Sequence, residues 1–507
     1  MVTPADSKPD ACDPADLSAR EARRLVGRGE LSAEELARAS IARVEAIDPA
    51  VNALVARDFD AVIEGARKAD ADRAAGNALG PLHGLPVAIK DMSDVAGLPT
   101  TFGSEIFRDN VPKRDDALVA GLRKAGALPL GKTNNPEWSA GANTRNRVYG
   151  TTANPHDLTR NCGGSSGGSA VALACGYAPL ASGSDLGGSL RTPAAFCGVV
   201  GFRPSFGVVP GDARRTSLLP LATSGPMARN VADCGLMLSV MARPDPRDPF
   251  TAVVNGETAW RPEDFAHLPR SDLVSLRFAV TEDFGFAPVE AASRRTFRKG
   301  MNALLPFIGA CDETCPDCAD ADRIFAVLRS VIFLSTHAAF VDKTPELVGE
   351  NVTENVLEGR SYSAEDVAQA LVMQGNYDRR WQRFFDDCDF ILSPAVTAQP
   401  RDWHEAYPKE IDGRPTASYY HWLASAYAST IAGCPSITIP CGRDDNGMPF
   451  GLQIIGRRHD DLRLLAVAAE FEAVIAGLSE LAPTGPDVAA LSSAPKLSEA
   501  EGFWDVP

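Results

Sequence analysis

Short apolar runs separated by helix-like windows recur along the whole of this 507-residue chain. Each run has the length and the aliphatic or aromatic content of a buried strand. The runs lie at residues 85–89, 127–130, 180–182, 278–280, 390–392 and 436–439. Such alternation predicts an α/β fold, in which helices are layered on a sheet. No segment has the composition of a linker that would divide the chain into separate domains.

One of the helix-like windows has a well-defined start. Ser32 and Glu35 match a capping box, which satisfies free backbone N–H groups at the N-terminus of a helix. Apolar residues then recur at helical spacing and predict a buried face made of Ala37, Ile41, Val44 and Ile47.

Residues 161–192 hold two serine clusters framed by glycines, NCGGSSGGSAVALACGYAPLASGSDLGGSLRT. Glycines this dense occur where a chain turns with positive φ or closely approaches a ligand. A flexible linker is one interpretation, but the stretch runs directly into an apolar segment at 170–175. Residues 163–167 also match the G-x-S-x-G elbow of Ser-His-Asp hydrolases, with Ser165 as nucleophile. That elbow follows a strand, whereas residues 151–162 are polar and contain a proline.

Lys90 stands at the end of the first predicted strand. Because burying an ammonium group is costly, a solvated position is one interpretation of this lysine. The other interpretation is catalytic, since burial lowers the pKa of a lysine from about 10.4 and a neutral lysine can accept a proton. The nearby serine clusters favour the catalytic interpretation.

The segments GLPVAIKD with Lys90, GGSSGGSA with Ser165 and GSDLGGSLRTPAAFCGVVGFRPS with Ser189 resemble, in residue type and order, those of the amidase signature family. The similarity continues through GALPLGKTNNPEW, YGTTANP, DFILSPAV and AGCPSITIPCG, and it covers most of residues 15–480. The resemblance implies a single large, mixed, twisted β-sheet flanked by helices on both faces. It also implies an amidohydrolase with a Ser-cisSer-Lys triad, which acts on carbon–nitrogen bonds of linear amides other than peptide bonds.

Carried over residue by residue, the resemblance makes Ser189 the nucleophile, Ser165 the bridging hydroxyl on a cis peptide bond, and Lys90 the final base. A serine hydroxyl is a weak nucleophile unless a base removes its proton during attack. Ser165 can donate and accept at once, so it can pass that proton to neutral Lys90. The same relay can protonate the leaving nitrogen, which leaves an acyl ester on Ser189 for water to hydrolyse.

The segment GSDLGGS predicts an oxyanion hole beside the nucleophile. Paired glycines allow successive backbone N–H groups to point to one side of a turn. We expect the N–H groups of Leu186, Gly187 and Gly188, together with that of Ser189, to bind the negatively charged oxygen of the tetrahedral intermediate.

Other residues near these motifs are expected to support the site or to line it. Asp185 and Arg191 are predicted to pair and so fix the shape of the oxyanion segment. Ser166 is predicted to cap the following helix with its hydroxyl. Six residues are predicted to line the substrate pocket: Met92, Trp138, Asn143, Cys162, Gly163 and Gly164.

Trp138 stands where the family usually has a smaller Phe or Leu, and few charges lie near the motifs. These features favour an apolar or aryl amide, such as an anilide or a carbamate, the substrates of aryl acylamidases and urethanases.

Two other functions stay open. One is a glutamine-hydrolysing subunit of a tRNA-dependent amidotransferase, which shares the triad and hands ammonia to a partner. The other is a Ser-His-Asp esterase using Ser165, although none of the seven histidines lies in a glycine-framed polar motif.

Charge and composition limit the partners of this chain. A net charge of −16 argues against nucleic acids and anionic membranes, because both require basic patches. The apolar window at 324–341 contains Arg329 and His337 and therefore predicts a packed helix. A polar, acidic N-terminal segment favours the cytoplasm. The predicted partner is a small-molecule amide substrate, with no cofactor or metal, and a homodimer is left open.

The eleven cysteines are predicted to be free, mostly buried thiols. Cys311, Cys315 and Cys318 have a spacing that resembles an iron–sulfur motif, but coincidence is favoured because they lie in mid-chain among acidic residues.

Three segments are predicted along the chain. Residues 1–14 form a disordered tail and residues 15–480 the catalytic domain, with a more variable substrate entrance at about 205–430. Residues 481–507 form a C-terminal arm, in which Phe503 and Trp504 are candidates for docking on a neighbouring subunit.

Overall fold

A computed structural model describes residues 13–212 and 214–506 of the chain. One mixed sheet, which has eleven strands in this part of the chain, forms the centre of the fold. In chain order the strands are β1 (Leu54–Ala56), β2 (Pro86–Lys90), β3 (Leu128–Thr133), β4 (Leu180–Asp185), β5 (Val200–Arg203), β6 (Thr223–Ala228), β7 (Arg277–Val280), β8 (Ala310–Glu313), β9 (Phe390–Pro394), β10 (Ser436–Arg443) and β11 (Pro449–Gly456).

The strand order across the sheet is β1-β3-β2-β4-β6-β5-β10-β11-β9-β7-β8. β2 pairs in parallel with β3 and β4, and β7 pairs in parallel with β8 and β9. The strands between these two groups pair antiparallel. The predicted single mixed sheet is therefore confirmed.

Helices flank this sheet and bury its faces. They are α1 (Ala19–Arg28), α2 (Ala33–Val51), α3 (Phe59–Ala74), α4 (Ala117–Lys124), α5 (Gly167–Ala174), α6 (Arg191–Cys197), α7 (Val231–Met241), α8 (Ala291–Leu304), α9 (Ala321–Lys343), α10 (Glu350–Ser361), α11 (Ala364–Phe384), α12 (Ala424–Ile431), α13 (Asp461–Ala476) and α14 (Val488–Ser492). Two-stranded hairpins lie outside the sheet, among them Arg145–Asn146 with Gly150–Thr151.

The predicted capping box starts α2. Ser32 Oγ accepts a hydrogen bond from the Glu35 N–H at 3.0 Å, and Glu35 Oε2 accepts one from the Ser32 N–H at 2.8 Å. Three of the four residues of the predicted buried face are buried, namely Ala37, Val44 and Ile47. This helix therefore begins where its capping residues and apolar spacing indicate.

Each predicted strand overlaps a strand of the sheet, but the runs do not reveal β1, β5, β6, β8 or β11. The sequence of β6, TSGPMA, looks like a loop because it contains glycine and proline. Gly225 is required there by close packing, since a Cβ at this position would lie 2.1 Å from the carbonyl oxygen of Phe202 on β5. A residue that usually weakens a strand is thus needed for two strands to meet.

Two regions of core lie on the sheet. The larger one joins the sheet to the N-terminal helices and to α13. The second packs α9, α11 and α12 over the end of the sheet that holds β7 and β9.

The helix α9 is long and apolar enough to cross a membrane by length and composition, but half of its most apolar window is buried inside the protein. It contacts α10, α11 and α12 and is a packed helix of the second core, as the sequence predicts.

Of the predicted N-terminal tail, residues 1–12 lie outside the described residues.

The ten described cysteines are free thiols, and eight of them are buried. Cys311 and Cys315 are partly exposed. Cys318 is buried, and its sulfur accepts a hydrogen bond from the Tyr377 hydroxyl at 3.3 Å.

Candidate active site

Lys90 is the last residue of β2, which pairs in parallel with β4. The side chain is buried, and Nζ lies 2.7 Å from Ser165 Oγ and 3.0 Å from Ser184 Oγ. The backbone N–H of Lys90 donates to Ser182 Oγ on the neighbouring strand β4. Two serine hydroxyls thus contact this amine, and a proton can pass between Nζ and Ser165 Oγ without further movement.

The electrostatics of Lys90 favour a neutral amine. Burial lowers the pKa of Lys90 to about 7, although the carboxylate of Asp185 partly opposes the shift. A group with a pKa near 7 is neutral in a large fraction of molecules at neutral pH and can act as a base there.

Ser165 lies on the turn that leads into α5. The peptide bond between Gly164 and Ser165 is cis, as the resemblance implies. Thr144 Oγ1 donates to the carbonyl oxygen of Gly163 at 2.8 Å, and Gly164 lies against the backbone of Ala142. Contacts to the segment before the Arg145–Asn146 hairpin therefore hold this turn beside Lys90.

Ser189 lies between β4 and α6 and is partly exposed. The Ser166 N–H donates to the Ser189 carbonyl oxygen at 3.2 Å, which joins the two serine segments. Within residues 13–212 and 214–506 the Ser189 hydroxyl makes no hydrogen bond. Its Oγ is thus free to contact a substrate, and catalytic hydrogen bonds often tighten only when a substrate binds.

The oxyanion segment differs from the prediction at one residue. The Gly188 N–H, which was expected to face the oxyanion, donates to Asp185 Oδ1 at 2.8 Å. The physical reason is a local turn, because an aspartate side chain readily accepts a hydrogen bond from an N–H three residues ahead. In the described part of the chain the N–H groups of Leu186, Gly187 and Ser189 remain without an acceptor.

The predicted pair of Asp185 and Arg191 forms and is fully buried. Arg191 Nε and Nη2 donate to the two carboxylate oxygens at 3.0 and 2.9 Å. Arg203 of β5, which sequence reasoning missed, also donates to the backbone and side-chain oxygens of Asp185. Burial alone would raise the pKa of Asp185, but the two guanidinium groups hold it well below its usual range. The carboxylate is therefore ionised and fixes the turn that carries Ser189.

Ser166 supports the site in a different way from the one predicted. It is the N-cap residue of α5, but its side chain makes no capping hydrogen bond. Its hydroxyl instead accepts from the Ser184 N–H at 3.3 Å and donates to the Ser184 carbonyl oxygen at 3.4 Å. The reason is the approach of β4, whose backbone offers both a donor and an acceptor to this hydroxyl.

Two of the predicted pocket residues, Cys162 and Trp138, are buried. Cys162 is fully buried, and its thiol donates to the Thr152 carbonyl oxygen at 3.4 Å. Trp138 is 8% exposed; its ring stacks on that of Phe340 and packs at a tilt against that of His337, with centroid distances of 5.4 and 4.5 Å. Both side chains are buried in this structure, and a role of either in lining the substrate pocket remains a prediction.

Of the other predicted pocket residues, Asn143 lies beside Gly164, and Met92 follows Lys90 by two positions. The Asn143 amide donates to the carbonyl oxygens of Trp403 and Glu405, both at 2.9 Å, and so ties down that segment. Met92 is half-buried beside Asn135. Gly163 and Gly164 form the backbone directly before Ser165. A role of Met92, Asn143, Gly163 and Gly164 in binding substrate remains a prediction.

A buried ion pair that sequence reasoning missed lies behind Lys90. Lys132 Nζ donates to Asp91 Oδ1 at 2.9 Å and to Thr100 Oγ1 at 2.7 Å, and both charged side chains are fully buried. Asp91 directly follows Lys90 and also accepts from the Thr101 hydroxyl. This network anchors the chain just after the amine that contacts Ser165.

The C-terminal segment packs on its own chain through Phe503, which the sequence makes a candidate for docking on a neighbouring subunit. The Phe503 ring is 3% exposed, and a Cβ at Gly150 would lie 2.3 Å from it. Arg145 and Arg147 donate to the carbonyl oxygens of Asp505 and Val506. The C-terminal segment thus packs over the hairpin of Arg145–Asn146 and Gly150–Thr151. This hairpin follows Ala142 and Thr144, which contact the turn that carries Ser165.

Replacing Phe503 by alanine is expected to lower the free energy of unfolding by about 1.5–3 kcal/mol, because the ring is almost completely buried. Urea denaturation followed by circular dichroism measures this loss. The matched control is Trp504→Ala, since Trp504 is 57% exposed. Equal losses in both variants would contradict the packing described for Phe503.

Known proteins similar to this chain were identified by sequence and by fold. A family model described as Amidase matches residues 35–465. The chain is 35% identical over 464 residues to an acylamidase from Rhodococcus erythropolis, with 90% of this chain and 95% of the relative covered. It is 34% identical over 483 residues to a subunit of the glutamyl-tRNA(Gln) amidotransferase of Moorella thermoacetica, with 90% and 96% covered. The fold matches that of a bacterial aryl acylamidase with a TM-score of 0.84 and 25% identity, covering 94% of this chain and 99% of the other.

Proposed function

This chain belongs to the amidase signature family, and we propose that it is an amidase that hydrolyses the carbon–nitrogen bond of a small amide through an acyl ester on Ser189. The observation that carries the proposal is the contact of Lys90 Nζ with Ser165 Oγ at 2.7 Å, made by a fully buried amine. A buried amine beside a serine is suited to proton transfer and poorly suited to a purely structural role.

In the proposed mechanism Ser189 Oγ attacks the amide carbon while Ser165 accepts its proton and gives its own to Lys90. The N–H groups of Leu186, Gly187 and Ser189 stabilise the negative charge on the carbonyl oxygen. Lys90 then returns a proton through Ser165 to the nitrogen, and the amine leaves. Water attacks the acyl ester by the same relay and regenerates Ser189.

The proposed substrate is an apolar or aryl amide, such as an anilide or a carbamate. Similarity to an acylamidase and to an aryl acylamidase supports this class. Aromatic residues near the oxyanion segment support it further, because the Phe325 ring lies against Gly187 and stacks on Tyr427 with a centroid distance of 4.2 Å. Flat apolar rings favour a substrate with an aromatic or aliphatic group.

A second candidate is the glutamine-hydrolysing component of an amidotransferase, which is favoured by the similarity to the Moorella thermoacetica protein over nearly its whole length. A Ser-His-Asp mechanism at Ser165 has less support. In the described residues, the Ser165 hydroxyl is hydrogen-bonded to Lys90 and to no histidine.

The test is to treat the purified protein with a fluorophosphonate and locate the adduct by mass spectrometry, alongside release of amine or ammonia from anilides, carbamates and glutamine. An adduct on Ser189 that is lost in Lys90→Ala, with cleavage of anilides or carbamates, supports the proposal. An adduct on Ser165 would contradict the mechanism. Hydrolysis of glutamine alone would favour the amidotransferase function.

We expect kcat/KM to rise with pH through about 7 and then level off. Burial lowers the pKa of Lys90 to about 7, and only the neutral amine can accept the proton of Ser165. Hydrolysis of a neutral anilide between pH 5 and 9 measures the profile, with a range chosen around that pKa. A rate that is constant over this range would contradict a base with this pKa.

A further inference from the structure

Arg329 on α9 is a buried cation that has no hydrogen-bonding or ion-pair partner among the described residues. The residue is 4% exposed, and its side chain forms neither a hydrogen bond nor an ion pair with any residue in 13–212 or 214–506. Its Nη1 is buried and lacks an acceptor. Buried arginines normally pair with a carboxylate or donate to carbonyl oxygens, because an unpaired buried charge is costly. Nη1 of Arg329 therefore lacks the acceptor that a buried donor requires.

Aromatic rings surround this guanidinium but do not satisfy its N–H groups. Its central carbon lies 4.4 Å from the ring centroid of Tyr420, 4.7 Å from that of Phe333 and 4.8 Å from that of Tyr419. Cation–π contacts of this kind stabilise a positive charge. They supply no acceptor in the plane of the guanidinium, where its N–H groups point.

The carboxylate of Glu358 acts electrostatically on Arg329, and one of its two oxygens is engaged elsewhere. Glu358 Oε1 accepts hydrogen bonds from the hydroxyls of Tyr362 and Tyr420, both at 2.9 Å. Burial lowers the pKa of Arg329 to about 10, and Tyr420 and Glu358 partly oppose this shift. Arg329 is therefore still a cation at neutral pH.

The position of Arg329 on α9 relates it to the candidate active site. Phe325, one turn before it, lies against Gly187 of the oxyanion segment. Phe333, one turn after it, packs on His337, which in turn packs at a tilt on Trp138. Residues four apart share one face of a helix, so Arg329 lies on the face that runs from the oxyanion segment towards Trp138.

We propose that Arg329 binds a carboxylate carried by the substrate at a distance from the amide bond that is cleaved. This inference rests on the proposed amidase function and adds a substrate class, namely amides that carry a carboxylate. A carboxylate matches the planar fork of a guanidinium with two parallel hydrogen bonds. It would supply the missing acceptor, while the aromatic rings exclude water and strengthen the pairing.

The experiment compares charged substrates with neutral substrates of the same shape. Succinanilate and levulinanilide place a carboxylate or a methyl ketone on the acyl side. Para-acetamidobenzoate and para-acetamidoacetophenone place them on the amine side. We expect the native enzyme to prefer the carboxylate by about 10- to 100-fold in kcat/KM in at least one pair, as for other hydrogen bonds to charged groups.

Variants then assign this preference to Arg329. Arg329→Gln is expected to lose the preference, and Arg329→Lys to keep part of it, because lysine retains the charge. The matched control is Arg323→Gln on the same helix, since Arg323 is exposed and pairs with Asp366. A structural role for Arg329 would lower the rates of both members of a pair equally and leave their ratio unchanged, which would overturn the proposal.

Two further outcomes separate this proposal from the amidase function. If the native enzyme hydrolyses neutral anilides and shows no preference in either pair, the Arg329 proposal is wrong and the amidase function stands. If no amide is hydrolysed, calorimetric titration of Ser189→Ala with succinanilate and levulinanilide still tests the carboxylate site. Inhibition by free benzoate that depends on Arg329, without any preference between substrates, would assign the site to a free acid and overturn the substrate assignment.

Discussion

Replacing Ser189 by alanine is expected to lower kcat for an anilide by on the order of 10⁵-fold, because no other hydroxyl in the proposed mechanism forms the acyl ester. Lys90→Ala and Ser165→Ala are expected to have effects of similar size, since the three groups act as one relay and their effects are not additive. Release of aniline at enzyme concentrations high enough to detect residual activity measures all three losses. Circular dichroism shows whether each variant keeps its fold.

Ser166→Ala is the matched control for these variants. Ser166 is adjacent to Ser165 in sequence and equally buried, but among the described residues its hydroxyl hydrogen-bonds only to the backbone of Ser184, at 3.3 and 3.4 Å. Hydrogen bonds of this length contribute little, so we expect a loss of about tenfold or less. A larger loss in Ser166→Ala than in Ser165→Ala would mean that the roles of the two serines are reversed.

The residue types of the site were predictable because each lies in a short motif whose neighbours restrict its chemistry. A lysine directly after a buried strand and a serine framed by glycines indicate chemistry rather than packing. Ser184 could also have been found. It alternates with Ser182 along β4, and side chains two apart on a strand share a face, so both serines face the end of β2.

The contacts of Arg203 could not be predicted in this way. Arg203 contacts Asp185 across the sheet, because the strand order places β5 close to β4, with only β6 between them. No local pattern fixes that strand order, since it depends on how distant segments pair. The turn at Asp185 is the opposite case. Its side chain accepts from the Gly188 N–H three residues ahead, and aspartate followed by glycine at this spacing is a recognisable turn signal.

Replacing Asp185 by asparagine is expected to lower the free energy of unfolding by about 3–5 kcal/mol, because the change leaves the guanidinium groups of Arg191 and Arg203 buried without a counter-charge. Urea denaturation at pH 7 measures the loss. Activity should fall as well, since the Asp185 carboxylate accepts from the Gly188 and Leu190 N–H groups on either side of the nucleophile.

The pH dependence of this loss identifies its cause. The two arginines hold the pKa of Asp185 below its usual range in the folded protein, so the stabilisation is present above the unfolded-state pKa of about 3.9 and is lost as the pH falls through the lower folded-state pKa. The difference between native protein and Asp185→Asn should therefore be constant near neutral pH and shrink in strong acid. Glu263→Gln is the control, because its ion pair with Arg261 is exposed to solvent and water screens it, so its loss should change the urea midpoint very little. If both variants unfold at the same urea concentration, the buried carboxylate does not hold this turn, and another contact must position Ser189.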